Sequence, residues 1–130
     1  MIDHQTVTRW LQDYISAWKS YDPQAIRALF TEDATYRYHP YDEPLRGREA
    51  IVASWIEQRD PPNTYSAEYQ PIAVDGNTAV SHGRSLYSEA DGTTLKRQYD
   101  NIFVLRFDDA GRCADFCEWY AQPRGQKNSS

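Results

Sequence analysis

Apolar residues recur at Val7, Trp10, Leu11, Tyr14, Ile15 and Trp18, in gaps of three and four that trace one stripe of an amphipathic helix. Asp22-Pro23 then supplies an N-cap and a first-turn proline. Together they predict a short second helix that turns Ile26, Leu29 and Phe30 inward and ends at Thr31-Glu32-Asp33. Residues 34–39, rich in Tyr and Thr, read as a strand stopped by Pro40. A polar loop leads to Gly47. Beyond it, Ile51, Val52, Trp55 and Ile56 form a third helical stripe, halted at Asp60-Pro61-Pro62 because proline donates no backbone hydrogen bond.

From there the period changes. Residues 65–74, 78–88, 95–107 and 113–121 are strand-like runs separated by Asp75-Gly76-Asn77, Asp91-Gly92 and Asp108-Asp109-Ala110-Gly111. Gly-containing turns between long runs signal antiparallel hairpins. Helices first and strands afterwards predict an α+β fold, with the helices on one side of a bent sheet. A chain of 130 residues supports one ordinary core. The pattern therefore predicts a single domain over 1–122 and a flexible polar tail over 123–130.

Alternation along 95–107 puts Tyr99, Asn101, Phe103, Leu105 and Phe107 on one face and Asp100, Ile102, Val104 and Arg106 on the other. Both faces are substantially apolar, unlike those of a sheet with one side in water. One face is expected to cover the helices. The other is expected to meet a second copy of the chain, giving a homodimer through the outer sheet face. His82, Arg84 and Leu86 share a face of their strand, as do Phe116, Glu118 and Tyr120 of theirs. If these are the helix-facing sets, His82, Arg84 and Glu118 converge in an aromatic interior. Buried charge is costly unless paired, so an Arg84–Glu118 pair is expected there. Such a pair either satisfies itself structurally or forms a site of perturbed acidity, in which His82 titrates near neutrality.

Composition narrows the function. Ten Tyr, four Trp and four Phe suit a pocket that is partly polar, since Tyr and Trp carry a polar tip on a large apolar body. A net charge of −5 without a basic cluster argues against nucleic acid. There is no bilayer-length apolar run or leader-like start, so no membrane association is expected and a cytoplasmic location is the default. Cys113 and Cys117 lie four apart, on one face of a regular strand but too far apart to bond each other. They are expected reduced and half buried. No phosphate loop, Rossmann glycine pattern or metal-ligand spacing occurs, so neither a cofactor nor a metal is expected.

Several stretches in order carry a family resemblance: Tyr21-Asp22-Pro23-Gln24-Ala25-Ile26, Leu29-Phe30-Thr31-Glu32-Asp33-Ala34-Thr35-Tyr36, Leu45-Arg46-Gly47-Arg48-Glu49-Ala50-Ile51, Phe107-Asp108-Asp109-Ala110-Gly111-Arg112 and Phe116-Cys117-Glu118-Trp119-Tyr120. Over nearly its whole length the chain resembles the NTF2-like superfamily in its SnoaL-like branch. The resemblance implies a cone, in which a strongly curved, mostly antiparallel sheet wraps about three N-terminal helices around a pocket. It also implies frequent dimers. Members include isomerases, dehydratases, cyclases, hydrolases and non-catalytic binding domains, so fold alone does not set function. Against the ketosteroid isomerase pattern, Tyr14 falls at the oxyanion-binding tyrosine. Tyr38 occupies the place of the general base and Phe103 that of the protonated aspartate, which removes the dyad of that chemistry.

The resulting expectation is a pocket for a small hydrophobic, oxygenated ligand. Glu118 would act as acid or base, His82 as its proton-transfer partner and Arg84 as the group positioning Glu118. Tyr14, Tyr38 and Asn101 would orient the substrate, and Trp18, Trp55, Phe103, Phe116 and Tyr120 would form the walls. The alternative is a non-catalytic ligand-binding or protein-interaction module of the same fold.

Overall fold

The structure, a computed structural model, describes residues 1–126. Helix α1 (His4–Ser20) starts where the Asp3 side chain accepts from the Thr6 amide, and ends where Tyr21 turns left-handed and donates its amide to the Ala17 carbonyl. Helix α2 (Pro23–Arg27) has Asp22 as its N-cap and proline in its first turn. Strand β1 (Phe30–Arg37) follows, then the two-residue β2 (Leu45–Arg46) and helix α3 (Arg48–Glu57). Four long strands complete the chain: β3 (Tyr65–Asp75), β4 (Thr78–Ser88), β5 (Leu95–Phe107) and β6 (Cys113–Ala121).

All six strands form one curved, unclosed sheet in the order β2-β1-β6-β5-β4-β3. The β1–β6 pairing is parallel and every other pairing is antiparallel. The helices lie on its concave side. Their apolar stripe is closed against the sheet by Trp10, Tyr14, Phe30, Tyr36, Phe103 and Phe116, all buried. Each such ring contributes roughly 1.5–3 kcal/mol by leaving water. The Trp10 indole N–H donates to the Leu29 carbonyl at 2.9 Å, so its polar atom is satisfied inside the core.

Local expectations differ from the fold in three places. Leu29 and Phe30 are buried as expected, but α2 stops at Arg27 and Phe30 opens a strand. The Cys113 amide donates to the Leu29 carbonyl at 2.8 Å, drawing this segment into the parallel ladder with β6. The loop before Gly47 contributes β2, which pairs with Thr35 and Tyr36. The cysteines do not share a face. The register slips between Arg106↔Asp115 and Phe107↔Cys113, so Cys113 is buried in the core while Cys117 is half-buried on the convex side. Of the expected flexible tail, 123–126 form a turn, and the Gln126 side chain accepts from the Gln98 amide at 2.9 Å. The remaining residues, 127–130, lie outside the described residues.

Gly83 sets the shape of the sheet's middle. It sits on the concave face, in register with Tyr69 on one side and Asn101 on the other. A Cβ placed there would lie 1.9 Å from the Glu68 carbonyl oxygen and 2.4 Å from Tyr69 Cδ1. Only a residue without a side chain lets the Tyr69 ring lie across β4 and into the concavity.

Candidate functional site

A cavity of about 440 Å³ opens between the helices and the concave face of the sheet. The three long strands that build it are graded by depth. On β6, Phe116 is fully buried, Glu118 is half-buried and Tyr120 is exposed, with strand register setting the sequence. On β5 the same gradient runs from Phe103 through Asn101 to Tyr99 and Arg97. On β4 it runs from Ser81 through Ser85 to Tyr87. Helix α1 adds Tyr14 at depth and Trp18 nearer the rim, and α3 adds Trp55.

Glu118 is the centre of the polar chemistry. Its Oε2 accepts from Asn101 Nδ2 at 2.8 Å, and Asn101 Oδ1 accepts from the Ser85 hydroxyl at 2.9 Å. Ser85 and Asn101 are both buried, so the chain of hydrogen bonds is shielded from competing water. When Glu118 is ionised the chain of bonds also fixes the amide orientation, because a carboxylate oxygen only accepts and so requires the Asn101 N–H. Burial among aromatic walls raises the Glu118 carboxyl to about 7, partly offset by the Asn101 hydrogen bond, which favours the ionised form. A carboxyl so poised donates or accepts a proton near neutrality.

Tyrosines surround this group. The hydroxyls of Tyr14 and Tyr36 lie 3.4 Å apart, and those of Tyr38 and Ser54 share a 2.9 Å hydrogen bond. Desolvation holds Tyr14, Tyr36 and Tyr69 well above the usual phenol range, and the nearby Glu118 carboxyl pushes the same way. These phenols therefore stay neutral and act as hydrogen-bond donors. The Trp55 indole N–H is buried without a hydrogen-bond partner among the described residues. At the rim, Trp18 Nε1 donates to Asp60 Oδ2 at 3.0 Å, and the Asp60 amide donates to the Tyr21 hydroxyl at 2.8 Å. These bonds tie α1 to the end of α3.

The structure brings Glu118, Tyr14, Trp18, Tyr38, Trp55, Asn101 and Tyr120 together around the cavity. Phe103 and Phe116 lie one layer beneath it, against Tyr14, rather than on its wall. His82 and Arg84 are not in the interior. Strand register decides this: Ser81 and Gly83 pair with Phe103 and Asn101 on the concave side, so His82 and Arg84 face outward. There they hold Asp100, with His82 Nε2 at 2.9 Å and Arg84 Nε at 3.3 Å, and Arg84 is 75% exposed. The expected Arg84–Glu118 pair is thus replaced by Arg84–Asp100 outside and Asn101–Glu118 inside. The concave positions of β4 are small, Ala79, Ser81, Gly83 and Ser85, because Tyr69 and the α1 aromatics occupy the space above them. In sequence, small polar residues look like a solvent face. Tyr36, Tyr69, Ser85, Tyr87 and Arg97 are cavity residues that sequence reasoning missed. Ser85 and Tyr87 were recoverable from the alternation of β4 had its face been assigned through Asn101.

Helices closed over the concave side of a curved sheet, with a polar and aromatic cavity between them, define the NTF2-like cone. The chain belongs to the SnoaL-like domain family, whose pattern matches residues 11–116. Among solved structures it is similar to an NTF-2 like protein of unknown function from Burkholderia xenovorans LB400. That similarity has a TM-score of 0.66 at 18% identity, covering 92% of this chain and 85% of the other. Comparison with curated proteins gave no match. Among the described residues no helix is long and apolar enough to cross a membrane, and no cluster of His, Cys, Asp and Glu has metal-binding geometry.

Proposed function

We propose that this chain binds a small hydrophobic, oxygenated molecule in the concave cavity and acts on it by cofactor-free acid–base chemistry, with Glu118 moving the proton. The reaction class is that of a lyase, isomerase, cyclase or hydrolase. The observation carrying this reading is the Glu118 carboxyl, held by Asn101 and raised to about 7 inside an aromatic cavity. Asn101 takes one carboxyl oxygen, which leaves the other for substrate. The Tyr14 and Tyr36 hydroxyls, neutral and bonded to each other, leave one phenol proton to donate to a substrate oxygen that gains charge. Trp18, Trp55 and Tyr38 provide flat apolar walls, and membership of a family of small-molecule-binding domains agrees with them.

The test is turnover of a substrate found by screening oxygenated aromatic and polycyclic compounds. Glu118→Gln is expected to keep the fold and ligand affinity but to lower kcat by at least about a hundredfold, the usual scale for a general acid or base. Unchanged turnover removes Glu118 from the mechanism. Binding without turnover of any compound turns the cavity into a ligand-binding module.

The same reading includes a homodimer through the convex sheet face. Trp119, Val104 and Leu86 are exposed there at 52%, 37% and 39%, with Ile102 in register against Trp119. Exposed apolar side chains on this face suit a self-complementary contact. Sedimentation is expected to give twice the 15.1 kDa chain mass, and Trp119→Glu to give the single mass with an unchanged circular dichroism spectrum. A monomer for the parent chain refutes the dimer.

A further inference from the structure

Arg97 is the cavity residue whose chemistry the proton-moving site does not use. It stands on the concave side of β5, directly across the ladder from Tyr87 on β4. Its guanidinium carbon lies over the Tyr87 ring, 4.7 Å from the centroid, so a cation–π contact holds it at the rim. Its Nε is sealed from solvent without a hydrogen-bond partner, and among the described residues no carboxylate lies within ion-pair distance. Among the described residues the two terminal nitrogens of the fork likewise make no hydrogen bond or ion pair. A half-buried guanidinium that is oriented but unpaired leaves an unmet demand for an anion. The other rim charge, Asp60, is already bonded to Trp18 and Tyr21, so it does not meet that demand.

Position adds the second constraint. Arg97 lies four residues along β5 from Asn101, about 13 Å of extended strand at about 3.3 Å per residue. Between the two lie Tyr87, Tyr99 and the α1 and α3 aromatics that wall the cavity. Planar guanidinium forks match carboxylates bidentately, and rigid flat walls match rings rather than flexible chains.

We infer that the ligand is an elongated aromatic or polycyclic carboxylate, its acid group gripped by Arg97 at the rim and its opposite, oxygen-bearing end placed against Asn101 and Glu118. This rests on the cavity being the ligand site and narrows the ligand to an anionic class. Charge at the rim then sets the direction of entry, with the acid end last. Glu118 meets the uncharged end of the molecule.

The test uses two probes, 4′-hydroxybiphenyl-4-carboxylate and 6-hydroxy-2-naphthoate, and their methyl esters, titrated against the full chain by calorimetry and by Trp fluorescence. The parent chain is expected to bind at least one acid about tenfold or more tightly than its ester. Arg97→Met is expected to erase that preference by weakening the acid while leaving the ester within about twofold. Arg97→Lys, which keeps the charge but loses the fork, is expected to retain part of it. Equal binding of acid and ester by the parent, or a preference that survives Arg97→Met, overturns the anionic assignment and leaves the cavity reading in place. Failure of all four probes to bind overturns both. Unaltered circular dichroism of both variants separates loss of the contact from loss of the fold.

Discussion

Glu118→Gln is expected to melt well above the parent chain at pH 8 and at nearly the same temperature at pH 4. The sign follows from proton binding. A carboxyl that titrates at 4.5 when free and at about 7 in the fold is held as the neutral acid by the folded state. Below pH 4.5 both states carry the proton and there is no cost. Between the two values the unfolded chain has released its proton while the folded chain still holds it, so stability falls as pH rises. Above pH 7 the folded chain also ionises and the loss is complete. A shift from 4.5 to about 7 corresponds to roughly 3 kcal/mol at ~1.4 kcal/mol per unit. In a domain of this size that is on the order of 10 °C in Tm. Glutamine accepts from Asn101 as the acid does but never ionises, so it escapes the loss. Thermal melts of both proteins from pH 4 to 8.5 read the effect directly and require no substrate. A difference that does not grow with pH would show that Glu118 is not held protonated, and would remove the main support for its acid–base role.

The second large effect is expected at Gly83. In Gly83→Ala the new methyl meets the Glu68 carbonyl oxygen at 1.9 Å and Tyr69 Cα at 2.7 Å, both backbone atoms that no rotamer change can move. Strand β3 must shift away from β4 or the pairing must break. Overpacking of this kind costs typically about 1–3 kcal/mol, and the upper end applies where the obstacle is main chain. The loss also moves Tyr69, which lines the cavity, so ligand binding should fall together with Tm. Ser81→Ala, on the same face two residues away, removes a buried hydroxyl that has no partner among the described residues and is expected to be neutral or stabilising. A Gly83→Ala protein that melts like its parent would mean that β3 and β4 are not held in this close register.

Both predictions turn on the middle of the sheet, where sequence was least informative. The alternation of 95–107 identified Asn101, Phe103, Leu105 and Phe107 as one face, and the structure puts that face inward. Glu118 follows from the same logic, because Phe116 beside it is wholly apolar and buried. Strand β4 offered no such anchor. Its inward positions carry Ala, Ser, Gly and Ser, and its outward positions carry Val80, His82, Arg84 and Leu86, the reverse of the usual contrast between core and surface. Bulk there comes from Tyr69 on a neighbouring strand, and no local pattern within β4 reports it.

The sequence by itself determined the helices, the long strands and the α+β class, since these depend on periods of 3.6 and 2 and on turn residues that act locally; the family was carried separately, by the resemblance of several ordered stretches. It also located the acid group on β6 and the aromatic stripe of α1. Tertiary structure alone decided which face of β4 looks inward, that Arg84 serves Asp100, and that Asn101 and Ser85 hold Glu118. It alone set Arg97 over Tyr87 at the rim. These are matters of strand register, and register is fixed by pairing between segments far apart in the chain. A slip of one residue exchanges every inward side chain for an outward one.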